Sequence, residues 1–274
     1  MRVVLIMLFL APVLTYGQEW PNGAKTTARL GYYLNAYNHA DGASGDVQLV
    51  ISFVDKLQKK SFKRDDEFLA YVFQKIHQRF LQQYAINASF GQLLTDRTYN
   101  CLTATALYAI LLDHFGFDYK VIETNYHIFL IAQTSQGPVL VETTDPANGY
   151  VSDPKEIEKR IALYRENRIH LGSSNKTYYR FKFDLYNEVN LDQMLGLLYY
   201  NLSVNAYNQQ SLSLAIEQLK NASKLYHSPR IDEFSKIILL SVIEGAYDEH
   251  VRKEYLRSLQ ALRTEQFRIT ASSN

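Results

Sequence analysis

The sequence predicts an α+β fold in which helices pack on a small antiparallel sheet and an all-helical region follows. Three observations carry this expectation. Apolar residues recur at helical spacing through two segments between Val47 and Leu81, ahead of a nearly continuous apolar run that starts at Cys101. Three short strand-like runs then crowd between Tyr119 and Glu142. From Leu191 onward the chain reads as helix alone.

Residues 1–17 read as a secretory signal peptide: Arg2, an apolar run over 3–14, and small residues at Thr15 and Gly17 before the cut. The run is short of the roughly 20 residues a membrane span needs. An exported location, periplasmic or extracellular, is therefore expected, with no membrane association beyond the leader. No Cys follows the run, so no lipoprotein anchor is expected. Loss of Arg2 takes the 29 basic side chains to 28, level with the 28 acidic ones. That balance gives no global electrostatic case for nucleic acid.

Residues 18–46 are rich in Gly, Asn and Asp without periodicity and are expected to be an irregular lead-in. A helix over 47–58 follows, with Val47, Val50, Ile51, Val54 and Leu57 on one face. The basic run 56–64 is expected to be a solvated helix end and loop. Asp65, Asp66 and Glu67 open a second helix, where acids complement the helix dipole. Residues 84–100 are expected to be a connector. The third helix runs from Cys101 to Phe115, and Gly116 stops it. Strands are expected over 119–124, 127–132 and 138–142, the last two joined by a TSQG turn. A helix over 157–166 and a strand over 178–183 complete a domain spanning 47–185. In the helical region, 190–268, residues Tyr199, Leu202, Ser203, Ala206, Ala215, Leu219, Ala222 and Pro229 form one imperfect tetratricopeptide-like match. A single repeat cannot bury its own face, so these helices are expected to pack on the first domain or to offer a surface to a protein partner.

Cys101 is the only cysteine, so no intrachain disulfide and no cysteine-based zinc site is possible. An unpaired thiol in an exported protein needs a reason to exist. Cys101 stands at the start of a helix, where free amides and partial positive charge favour a thiolate. His127 opens a strand 26 residues on, and Asp145 follows the next strand. Antiparallel pairing of those strands beside the helix would bring the three together: Cys101 as nucleophile, His127 as base and acid, Asp145 to orient the imidazole. Each also has an ordinary explanation. Free cysteines are commonly buried, a histidine at a strand edge is often a satisfied core residue, and Asp before Pro146 favours a turn. The remaining histidines show no metal spacing, and neither a phosphate loop nor a GxSxG elbow is present, so no metal and no cofactor is expected.

The stretch Cys101, Gly116, His127-Ile128-Phe129 and Asp145-Pro146 resembles the bacterial transglutaminase-like superfamily, a branch of the papain-like fold, over residues 47–150. The combination with tetratricopeptide-like helices is similar to an exported subgroup of that superfamily. The resemblance implies a papain-like core and cysteine-dependent acyl transfer by protease, amidase or transglutaminase-like chemistry. The substrate would be a protein or peptide amide, cell-wall peptides included. The alternative is an inactive scaffold that binds a peptide or protein. Tyr99-Asn100 replaces the family's usual Gly-x before the cysteine, and Phe129 stands where many members have Trp. The amide of Cys101 is the first expected oxyanion donor. Gln92, by analogy with papain-like enzymes, and Asn100 are candidates for the second. Tyr126 is a candidate wall of the substrate cleft.

Overall fold

The computed structural model describes residues 23–36, 43–166 and 181–272, with only the backbone described for 43–45 and 263–272. The expected signal peptide, 1–17, lies outside the described residues.

Three helices open the fold: α1 (Gly23–Asn35), α2 (Ala43–Gln58) and α3 (Asp65–Phe80). The first was not expected. Thr26, Thr27 and Gly31 are poor helix formers. Burial of Leu30, Tyr33 and Leu34 against α2 and the central helix makes the segment helical, and the Tyr33 hydroxyl donates to the Leu191 carbonyl at 2.6 Å. The acids of α3 do more than complement its dipole. Asp65 accepts the amide and hydroxyl of Ser135 at 2.8 and 2.6 Å, tying this helix to a hairpin turn of the sheet. The expected connector holds a parallel pair, β1 (Gln83–Tyr84) and β2 (Thr98–Tyr99), around a short helix, α4 (Phe90–Thr95).

The central helix α5 (Cys101–His114) is buried on every side along 102–112. A helix that is apolar all round can only sit inside a core. It packs on β3 (Tyr119–Thr124) and β4 (Ile128–Thr134), which continue into β5 (Gly137–Val141), β6 (Tyr150–Val151) and β7 (Tyr186–Val189). The sheet order is β6-β5-β4-β3-β7, antiparallel throughout, with Val121 opposite Leu130 and Leu130 opposite Val141. Those three side chains belong to the core around α5, while Ile122, Phe129 and Leu140 form a second cluster with Ile157 of α6 (Pro154–Arg165). The period-two alternation thus sandwiches the sheet between α5 and α6.

The strand expected over 178–183 is not formed at 181–183, and 178–180 lie outside the described residues. The edge strand is β7, further on. Phe181 and Phe183 instead pack on each other, with ring centroids 5.1 Å apart.

The C-terminal region is helical as expected: α7 (Leu191–Asn208), α8 (Leu212–Leu225), α9 (Pro229–Glu244) and α10 (Glu249–Ser272). Small residues let α7 and α8 approach closely. A Cβ on Gly196 would lie 2.8 Å from that of Tyr226, and the Ser203 hydroxyl donates to the Ala215 carbonyl at 2.6 Å. Buried residues from Leu30 to Leu262 form one continuous apolar cluster, so these helices share a core with α1–α5. No helix among the described residues is long and apolar enough to cross a membrane.

Candidate active site

Asn100 sets the start of α5. Its backbone is extended, its Oδ1 accepts the Thr103 amide at 2.9 Å, and the Thr103 hydroxyl accepts the Asn100 amide at 2.9 Å. This reciprocal cap fixes Cys101 as the first residue of the helix. The thiol is half-buried. His127 is presented by the turn between β3 and β4. The Thr124 amide donates to the His127 carbonyl at 2.8 Å, and the His127 amide donates to the Thr124 hydroxyl at 3.1 Å.

The imidazole stands beside Cys101, whose side chain acts on its protonation, and its Nε2 is bonded to a carboxylate oxygen of Glu142. With Nε2 so engaged, Nδ1 is the nitrogen left for the sulfur. Glu142 immediately follows β5 and is 5% exposed. Its Oε1 accepts the amide and hydroxyl of Thr144 at 3.0 and 2.5 Å, and Oε2 also accepts the Tyr164 hydroxyl at 3.1 Å. The Tyr164 ring lies 5.0 Å from the imidazole, so α6 covers the histidine–carboxylate pair.

The geometry places Glu142 beside His127, where Asp145 was expected. Asp145 lies in the turn after β5, where its Oδ1 accepts the amides of Ala147 and Asn148 at 3.2 and 2.9 Å. It is a turn residue, and Glu142 occupies the place beside His127. The turn depends on Gly149. The Glu142 amide donates to the Gly149 carbonyl and the Gly149 amide to that of Asp145, both at 2.8 Å. A Cβ on Gly149 would lie 2.1 Å from the Glu142 oxygen and 2.4 Å from the Asp145 oxygen. Gly149→Ala must therefore open the turn. It is expected to cost about 1–3 kcal/mol or more, as overpacking does, which denaturant unfolding of the two proteins measures.

A buried network holds the turn from beneath. His77 of α3 contacts the Thr143 carbonyl through Nε2 at 3.1 Å, and the Thr143 hydroxyl meets that of Thr105 at 3.1 Å. Burial holds His77 below the ordinary imidazole value, so it is neutral at pH 7. Its Nδ1 faces the Phe73 carbonyl at 3.0 Å, and the Tyr108 hydroxyl, 2.9 Å from that nitrogen, donates to the same carbonyl at 2.8 Å.

The electrostatics of the pair follow from its partners. Burial would depress His127, but hydrogen bonds to Cys101 and Glu142 and the charge of both overcome it and raise its pKa to about 10. Burial would likewise raise Glu142, but His127 and Thr144 hold the carboxyl below its ordinary range. The balance favours the protonated imidazole.

The candidate oxyanion donors fare differently. Asn100 is fully committed: beyond capping Thr103, its Nδ2 donates to the carbonyls of Ile86 at 3.1 Å and Ala88 at 3.0 Å. Both amide hydrogens are used, which removes it as a side-chain donor. Gln92 forms a capping box with Ser89 at the start of α4, its Oε1 accepting the Ser89 amide at 3.0 Å. The Asn100 cap takes the amide of Thr103 and not that of Cys101. Tyr126 packs on Phe181, with ring centroids 5.7 Å apart. Glu142 and Tyr164 were missed from the sequence. Glu142 did carry a signal, as the charged residue that ends an apolar strand directly before two threonines. Among the described residues no group of three or more His, Cys, Asp or Glu is placed to hold a metal ion.

Comparison of the chain with family models, curated proteins and solved structures finds no match.

Proposed function

We propose that the protein is an exported, cysteine-dependent acyl-transfer enzyme acting on amides of proteins or peptides through Cys101, His127 and Glu142. The single observation that carries this is His127 held between a half-buried thiol and a buried carboxylate. The arrangement is consistent with a papain-like core: a buried helix led by the cysteine, lying against an antiparallel sheet that supplies the histidine and the acid. An imidazolium at His127 favours a thiolate on its neighbour. The thiolate attacks the amide carbonyl, and the tetrahedral oxyanion meets the amide at the start of α5. His127 gives its proton to the departing amine as the C–N bond breaks, leaving a thioester and a neutral imidazole. A water or amine then loses a proton to His127 and displaces the sulfur, restoring the pair. Hydrolysis is the favoured outcome, since no amine-acceptor site marks the chain.

The test is the rate of iodoacetamide alkylation of Cys101 over about pH 5–9 in the intact protein and in His127→Ala. An ordinary thiol titrates near 8.5. Fast alkylation below about pH 7 that vanishes in the variant is expected. A profile that tracks an ordinary thiol sinks the proposal. The binding-scaffold reading would then take its place, and the exposed Leu240 and Ile243 on α9 support it.

A further inference from the structure

The helical region reaches into the site. Glu123, near the end of β3, is 2% exposed and carries a charge-bearing side chain into the core. Two residues at the α8–α9 junction meet it: the Tyr226 hydroxyl donates to Oε2 at 2.6 Å and Arg230 Nε to Oε1 at 2.9 Å. Arg230 then goes further. Its Nη2 donates to the carbonyls of Thr124 at 2.9 Å and Asn125 at 3.1 Å. These residues form the turn that presents His127, and Thr124 holds the His127 backbone from both sides. The Asn125 side chain anchors the same turn, its Nδ2 donating to the Phe183 carbonyl and its Oδ1 accepting the Leu185 amide at 2.7 Å. The guanidinium also lies over the Phe181 ring, 5.0 Å from its centroid, beside Tyr126.

We propose that Arg230 is a positioning residue for His127, which makes the C-terminal helices a working part of the site. A planar fork serves a carboxylate and two carbonyls at once; the single ammonium of a lysine cannot reproduce that geometry. The proposal rests on the Cys101–His127 reading above, and the experiment separates the two.

Cys101 alkylation is measured at pH 6 and pH 9 in the full chain, in His127→Ala, in Arg230→Lys and in Arg230→Ala. Arg230→Ala strands a buried carboxylate and is prone to unfold. A double variant, Glu123→Gln with Arg230→Met, removes both charges and the turn contacts while keeping volume. Far-UV circular dichroism and a cooperative melt select the folded variants. In these the pH 6 rate is expected to fall about tenfold or more, as a displaced base implies, with the pH 9 rate held within about twofold. A merely structural loss would loosen the site and raise alkylation at both pH values. A folded double variant or Arg230→Lys with the wild-type ratio of rates overturns the positioning alone. A wild-type ratio that His127→Ala does not change overturns the triad, and the positioning with it.

Discussion

Glu142→Gln is expected to slow Cys101 alkylation at pH 6 by about 10–100-fold, while Asp145→Asn leaves it within about twofold. At pH 6 a thiol with an ordinary pKa near 8.5 is only about 0.3% thiolate, so full loss of the pairing has a ceiling of about 300-fold. The lower intrinsic nucleophilicity of a paired thiolate brings the observable change below that ceiling. The glutamine keeps the shape of Glu142 and one acceptor for Thr144, but turns an amide donor or an uncharged oxygen toward Nε2 of His127. The imidazolium loses its counter-charge. The Asp145 carboxylate accepts the amides of Ala147 and Asn148, which an asparagine oxygen still accepts. Equal effects of the two substitutions, or a larger effect at Asp145, would return the acid role to Asp145.

The same substitution has a pH signature in stability. The folded protein holds the His127 proton up to about pH 10, whereas an unfolded chain releases it near 6.5. The stability it contributes is complete below about 6.5 and is lost as pH rises toward 10. Glu142 is held below its ordinary 4.5, so its contribution is present above 4.5 and is lost as pH falls through its folded value. The two overlap between about 4.5 and 6.5. Denaturation midpoints of Glu142→Gln and the intact protein should therefore differ most near pH 5.5 and least near pH 10.

Cys101 and His127 were legible because their signals are local. One opens an apolar helix behind an Asn cap, and the other stands in the turn directly before a strand. The acid was not legible, because Glu142 and Asp145 sit three residues apart and the choice depends on how the turn closes. Asp145 binds the turn's own amides, while Glu142, directly after β5, meets the histidine. The α1 helix hid for a different reason: Thr26, Thr27 and Gly31 interrupt its helix formers, and Tyr33 finds its partner 158 residues away at Leu191. Where the strand over 178–183 was expected, residues 181–183 form none, and the Phe181 and Phe183 rings pack on each other at a tilt. Arg230 meets Glu123 across 107 residues, a separation that no spacing rule bridges.

Asn100→Ala is expected to destabilise the fold by about 2–4 kcal/mol. Loss of a helix cap costs about 1 kcal/mol, and the buried Ala88 carbonyl left without its donor about 1–3 kcal/mol, while the Ile86 carbonyl is only partly buried. The residue is 3% exposed and serves three partners: the Thr103 amide and the carbonyls of Ile86 and Ala88. In a chain of this size that is a fall in melting temperature of about 5–15 °C. Asn100→Asp separates the two contributions. It keeps the cap through one oxygen, and the helix dipole favours its charge, but it aims the other oxygen, an acceptor, at two carbonyls. A melting temperature for Asn100→Asp at or below that of Asn100→Ala places most of the stabilisation on the donor side. Those donors hold the segment from Ile86 to Ala88 against the residue that precedes Cys101. Near-intact stability in Asn100→Ala together with a large fall in acyl transfer would instead give Asn100 the oxyanion role that its committed amide denies it.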